Sequence, residues 1–167
     1  AIEKGRGTGV GVVTMRHSGH LGAVGYHAML AAEEGMVGIC MCSTWRLVLP
    51  TFGALPRLGT NPIAIAAPAR SEPYLLFDAA TSSVAGNKIT LAQRVGAPVA
   101  PGWIARLDGT PITSEEPAPA DNAYHMLPLG GTREGGSHKG YGLGLLVEVL
   151  TTMLAGVTPA MVSDMDT

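Results

Sequence analysis

Glycine and proline interrupt this chain every few residues. With 23 glycines and 12 prolines among 167 positions, no long helix or strand has an unbroken run in which to form. Short elements joined by tight turns are what such a sequence can build. Apolar residues make up 46% and charged residues 14%, against about 25% charged in an ordinary soluble domain. That balance lets a chain of this length bury a core, so one ordered domain is expected. A net charge of −2 gives no basic field for nucleic acid or an anionic membrane. No apolar run approaches the roughly 18 residues of a spanning helix. Ala1-Ile2-Glu3-Lys4-Gly5 lacks the pattern of a secretory leader, and Cys40 and Cys42 cannot form a disulfide framework. A reducing, cytoplasmic compartment is therefore expected.

The apolar spacing predicts a strand over Val10–Thr14, then a polar loop Arg16–His20, then a helix from Ala23 to Glu34 stopped by Gly35. A buried strand is predicted over Val37–Cys42. It sets Cys40 and Cys42 on one face, where they read as core thiols, because a zinc site needs more ligands nearby. Residues 45–62 read as loop, followed by strands at Ile63–Ala67 and Tyr74–Phe77. Thr81, Ser82 or Ser83 is placed to cap a helix running to about Val95 and closed by Gly96. A short strand at Trp103–Leu107, an exposed excursion from Pro111 to Asn122, and an apolar helix from about Gly140 to Leu154 complete the chain, which ends on the polar tail Ser163–Thr167.

Three features could carry chemistry. The glycine-rich run Gly130–Lys139 leads into the last helix, where free N–H groups, the helix dipole and the Lys139 ammonium could together cradle an anion; a solvated surface loop is the equal alternative. It is not a Walker loop, since Gly140 and Tyr141 follow Lys139. The glycines at 5–11 and at 19–25 also fail the Rossmann order. Asp78 at a strand end resembles a ribose-binding acid, with a structural capping role as the other reading. Of five histidines, His20 sits between strand and helix and is flanked by Gly19 and Gly22, so a substrate could come close to an imidazole suited to proton transfer. His17 and His20 have no third ligand at metal spacing, and no metal site is expected.

Four blocks carry a family resemblance. Arg16-His17-Ser18-Gly19-His20-Leu21-Gly22-Ala23-Val24-Gly25-Tyr26, Leu58-Gly59-Thr60-Asn61-Pro62-Ile63-Ala64, Phe77-Asp78-Ala79-Ala80-Thr81-Ser82 and Lys139-Gly140-Tyr141-Gly142-Leu143 occur in the order and spacing of the type 2 malate/L-lactate dehydrogenase family, which the chain resembles over nearly its whole length. The resemblance implies an α/β (α+β) fold with a mostly antiparallel central sheet, flanking helices and a non-Rossmann way of binding NAD or NADP. It places the catalytic histidine at His20 and cofactor contacts at Thr44, Asp78, Ala79, Ala80 and Lys139.

The same resemblance implies hydride transfer between nicotinamide and a small 2-oxo or 2-hydroxy acid such as malate or lactate, with His20 as acid/base and a homodimeric assembly. Full-length members carry a helical N-terminal segment and further sequence after the last helix. Residues 1–167 are thus expected to form the cofactor-binding core, as a fragment or a trimmed homologue. An inactive homologue serving as a binding or interaction module is the second reading. A carboxylate at the ribose leans toward NAD, and the choice between NAD and NADP stays open.

Overall fold

The computed structural model describes residues 1–162. The tail Ser163–Thr167 lies outside the described residues. In chain order the elements are α1 (Ile2–Thr8), α2 (Val24–Glu33), β1 (Gly38–Met41), β2 (Ile63–Ala67), β3 (Leu75–Ala79), α3 (Gly86–Val95), β4 (Pro98–Val99), β5 (Ile104–Ala105), β6 (Glu116–Pro117), β7 (His125–Met126) and α4 (Ser137–Glu148). A π-helical turn over Val149–Met153 extends α4.

β1, β2 and β3 form a three-stranded antiparallel sheet with β2 in the middle. Two two-stranded antiparallel ladders, β4 with β6 and β5 with β7, stand beside it. The architecture is therefore mixed α/β with small antiparallel sheets, as expected from the sequence.

Strand alternation decides what the main sheet does on each face. One face turns Cys40, Ala64, Ala66 and Gly38 toward α2, whose Val24, Ala28 and Ala32 complete a buried cluster. Nearly all these side chains are small, so the helix sits close on the sheet, and a Cβ on Gly38 would collide with the Ala28 carbonyl. The opposite face carries the cross-strand row Ile39, Ile65 and Phe77. Ile39 is 59% exposed and Phe77 52%. A second and larger core of Val48, Val84, Ile89, Val99, Ile104, Ile112 and Met126 binds α3 to the short ladders.

Several expectations from the sequence are corrected. Val10–Thr14 forms no strand: Val10, Val12 and Val13 are all exposed, because no described strand runs alongside to pair with them. The residues before it wind into α1 instead. Thr81, Ser82 and Ser83 do not cap α3, which begins at Gly86 with no side-chain cap. Their hydroxyls are committed elsewhere: Thr81 Oγ1 donates to the Thr60 carbonyl (3.1 Å), Ser82 Oγ to that of Val84 (2.7 Å) and Ser83 Oγ to that of Pro128 (2.6 Å). The excursion after Pro111 is partly anchored, with Ile112 in the larger core and Glu116 in β6 and ion-paired to Arg106 at 2.9 Å. Among the described residues no helix is long and apolar enough to cross a membrane.

Candidate functional site

The start of α2 is where the sequence places its proton-transfer candidate, and the local backbone is well held there. His20 Nδ1 accepts the Gly22 N–H at 2.8 Å. Gly22 has φ +72°, a left-handed conformation that a glycine adopts without strain. One helical turn into α2, His27 Nε2 donates to the Leu21 carbonyl at 3.1 Å. Both bonds lie on the C-terminal side of His20, between the loop and the start of α2, and the imidazole itself stays exposed. A neutral ring that accepts at Nδ1 carries its proton on Nε2.

Asp78 is the last residue but one of β3, at the strand end the sequence indicates, and faces α2 across from Ala64 and Cys40. Its Oδ2 accepts the Gly25 N–H at 2.7 Å, one of the donors that the first turn of α2 leaves without an intrahelical partner. No Cβ fits at Gly25: it would stand 2.9 Å from that oxygen. Asp78 therefore takes the capping role that the sequence left open, and its exposed carboxylate keeps Oδ1 outside this bond. Ala79 and Ala80 follow as half-buried residues at the same sheet end, where Ile63 pairs with Ala79 and with Met41.

Thr44 stands three residues beyond β1 at that same end. Its Oγ1 accepts the Thr60 N–H at 2.9 Å and lies 3.3 Å from Thr60 Oγ1, while its own N–H donates to Asn61 Oδ1 at 2.9 Å. A Cβ on Gly59 would collide with it. Asn61, fully buried and at φ +34°, also donates from Nδ2 to the Gly144 carbonyl (3.0 Å) and to Glu148 Oε2 (3.1 Å). The Thr44 turn is thereby bonded to α4. A second link runs from Ser43 Oγ to Thr152 Oγ1 in the π-helical turn. The sequence reading missed Asn61 and Glu148 as site-building residues. The signal available was an acid set in the apolar run Leu145-Leu146-Val147-Glu148-Val149-Leu150.

Lys139 is exposed on the first turn of α4. The glycines before it serve the fold more than a ligand: a Cβ at Gly135 would strike the Gly130 carbonyl, and one at Gly140 the Leu129 backbone. Buried Ser137 is bonded to Thr51 at 2.9 Å. The adjacent cleft, about 380 Å³, is bordered by Arg133 but also by Asp108 and Glu134. Hydrogen bonds from backbone N–H groups hold both of those carboxyls below their usual range. Two carboxylates beside one guanidinium make this cleft a poor place for an anion, and Lys139 is not among the residues that line it. Tyr141, further along α4, has its hydroxyl pushed up by burial, against the opposing pull of Arg57.

Cys40 and Cys42 share the α2-facing side, and burial pushes both thiols up, Cys40 further under the influence of its neighbour Cys42. Among the described residues no three His, Cys, Asp or Glu side chains gather at metal distance.

The profile of the malate/L-lactate dehydrogenase family matches residues 1–166. Malate dehydrogenase of Pyrococcus abyssi is 48% identical over 159 residues, which are 95% of this chain and 43% of that protein. Malate/(S)-sulfolactate dehydrogenase of Methanothermus fervidus is 40% identical over 150 residues, covering 90% of this chain and 41% of that protein. The crystal structure of malate dehydrogenase from Entamoeba histolytica superposes with a TM-score of 0.87 at 36% identity, over 95% of this chain and 45% of that one. The chain thus spans less than half the length of the relatives it matches. A match along nearly its whole sequence, with the fold superposing alongside, means that the chain belongs to the malate/L-lactate dehydrogenase family.

Proposed function

We propose that residues 1–167 form the cofactor-binding core of an NAD(P)-dependent oxidoreductase acting on small 2-hydroxy and 2-oxo acids. The relatives named as malate and malate/(S)-sulfolactate dehydrogenases support that substrate class. The single observation that carries the reading is the exposed His20 imidazole at the helix start that Asp78 fastens to the sheet. The side chains present fit a nicotinamide dinucleotide chemically. Lys139 offers an exposed ammonium for a phosphate, Asp78 an exposed carboxylate oxygen for a ribose hydroxyl, and Thr44, Ala79 and Ala80 border the same sheet end without bulk. No Rossmann fingerprint is involved, and the binding mode is proposed to be the family's own.

The cofactor, when bound, supplies hydride exchange at nicotinamide. What the protein adds is a proton at the right oxygen. As a 2-oxo acid is reduced, negative charge grows on the carbonyl oxygen, and the His20 imidazolium neutralises it by giving up the Nε2 proton. In oxidation Nε2 takes the hydroxyl proton. Either step leaves Nδ1 protonated, which the resting bond from Gly22 forbids, since two N–H groups would then face each other. Turnover therefore requires the ring to let go of Gly22, and the glycines on both sides of His20 give the loop that freedom. General acid/base help of this kind contributes about 10²- to 10⁴-fold in rate.

A homodimer belongs to the same reading, and exposed Ile39 and Phe77 on either side of half-buried Ile65 support a covering surface in the assembly. The test is a titration of the chain with NADH and, separately, NADPH, followed by nicotinamide fluorescence. Saturable binding of either is expected. Binding of neither leaves the inactive interaction module as the surviving account.

A further inference from the structure

Glu148 is fully buried at the junction where α4 changes to a π-helical turn, a kind of distortion that often accompanies function. Burying a carboxylate is costly unless its oxygens are met by donors. Here they are: Oε2 takes Asn61 Nδ2 at 3.1 Å and Oε1 takes the Ala160 N–H at 2.8 Å. The order of bonds has one sense only. The Thr44 N–H requires an acceptor from Asn61, so the Asn61 amide must present its NH2 to Gly144 and Glu148, and Glu148 must then accept at both oxygens. Neither a flipped Asn61 nor a glutamine at 148 satisfies every partner. The chain of bonds starts at Thr44, a proposed cofactor contact in the turn beyond β1, and ends in the helix whose first turn carries Lys139, another.

We infer that Asn61 and Glu148 are positioning residues for the cofactor: they fix the distance between the Thr44 turn and the Lys139 helix. The inference rests on the proposed dinucleotide reading. It reaches past it by separating residues that set cofactor affinity from His20, which sets the proton step. Neither residue meets substrate; each acts through the groups it holds.

Glu148→Gln keeps the shape and removes one acceptor. The full chain and this variant are compared by NADH and NADPH fluorescence titration, and by steady-state kinetics with malate and with oxaloacetate. The dissociation constant for whichever cofactor the wild type binds is expected to rise about tenfold, the worth of one buried hydrogen bond. At saturating cofactor, kcat and the KM for the acid should stay within about threefold, a split that general destabilisation does not produce. Unchanged cofactor affinity in a folded Glu148→Gln protein overturns the inference, as does a loss confined to kcat. Wild-type protein that binds neither nucleotide overturns the dinucleotide reading itself, and the positioning role with it. If Glu148→Gln does not fold, Asn61→Gly carries the test: glycine accepts the φ of +34° at that position, and the amide joining Thr44 to Glu148 is removed. A weaker cofactor complex supports the inference, and an unaltered one overturns it.

Discussion

Asp78 Oδ2 and the Gly25 N–H, 53 residues apart in sequence, meet at 2.7 Å, and this bond seats the start of α2 on β3. The helix that follows the His20 loop takes its position from a strand carboxylate, which replaces the side-chain cap that Ala23 cannot provide.

This pair is expected to be strongly non-additive. Asp78→Ala should cost about 0.5–2 kcal/mol, as the loss of a helix cap does. Gly25→Ala in the wild type sets a Cβ 2.9 Å from Asp78 Oδ2, and the crowding outweighs the roughly 1 kcal/mol that alanine gains over glycine in a helix. In the Asp78→Ala background that oxygen is gone, while approaches of 3.2 Å to the residue-78 Cβ and to Leu76 Cδ1 remain, so the same Gly25→Ala change should cost clearly less than in the wild type. Denaturant melts of the four proteins check this. Simple additivity would mean that the two residues do not share the contact.

Cysteine reactivity offers a second check. Burial raises both Cys40 and Cys42, with Cys42 raising Cys40 further, so both stay protonated beyond the usual thiol range. Iodoacetamide should label the folded chain more slowly than the urea-unfolded chain at pH 8, and the pH midpoint of labelling should lie above 9.0, the ordinary value of these thiols. The linkage has a definite sign. The unfolded thiols ionise first, so stability from this source is full below about pH 9 and falls as pH rises beyond it. Alanine at both positions should flatten that alkaline slope in urea melts.

His125, in β7 opposite Ala105, should make stability depend on pH on the acid side of neutrality. Burial pushes its imidazole below 6.5. The unfolded chain therefore binds a proton first as pH falls. Stability is full above about pH 6.5 and declines below it until the folded imidazole also titrates. Urea midpoints between pH 7.5 and 5 should drop in the wild type, and His125→Gln should reduce the slope of that drop. An equal slope in both would place the acid-sensitive group elsewhere.

The helices and the main sheet were largely legible because their signals are local. Val24–Glu33 matches the apolar spacing stopped at Gly35, and β2 falls on Ile63–Ala67 as its pattern indicates. Val10–Val13 shows the limit of that reasoning: a β-prone run becomes a strand only where another strand meets it. The candidate site was legible as separate blocks around His20, Thr44, Asp78 and Lys139, and not as a bonded arrangement. Asn61 and Glu148 meet across 87 residues, a pairing that no local pattern encodes. Gly130, Gly131, Gly135 and Gly140 show a role that spacing does not reveal: each lets the chain's own backbone come close.

The most direct measurement is made on His20→Asn. Its dissociation constant for NADH or NADPH should stay within about threefold of wild type, while kcat for oxaloacetate reduction falls by about 10²- to 10⁴-fold. A variant that turns over at the wild-type rate would contradict the account, because the proton would then come from some other group.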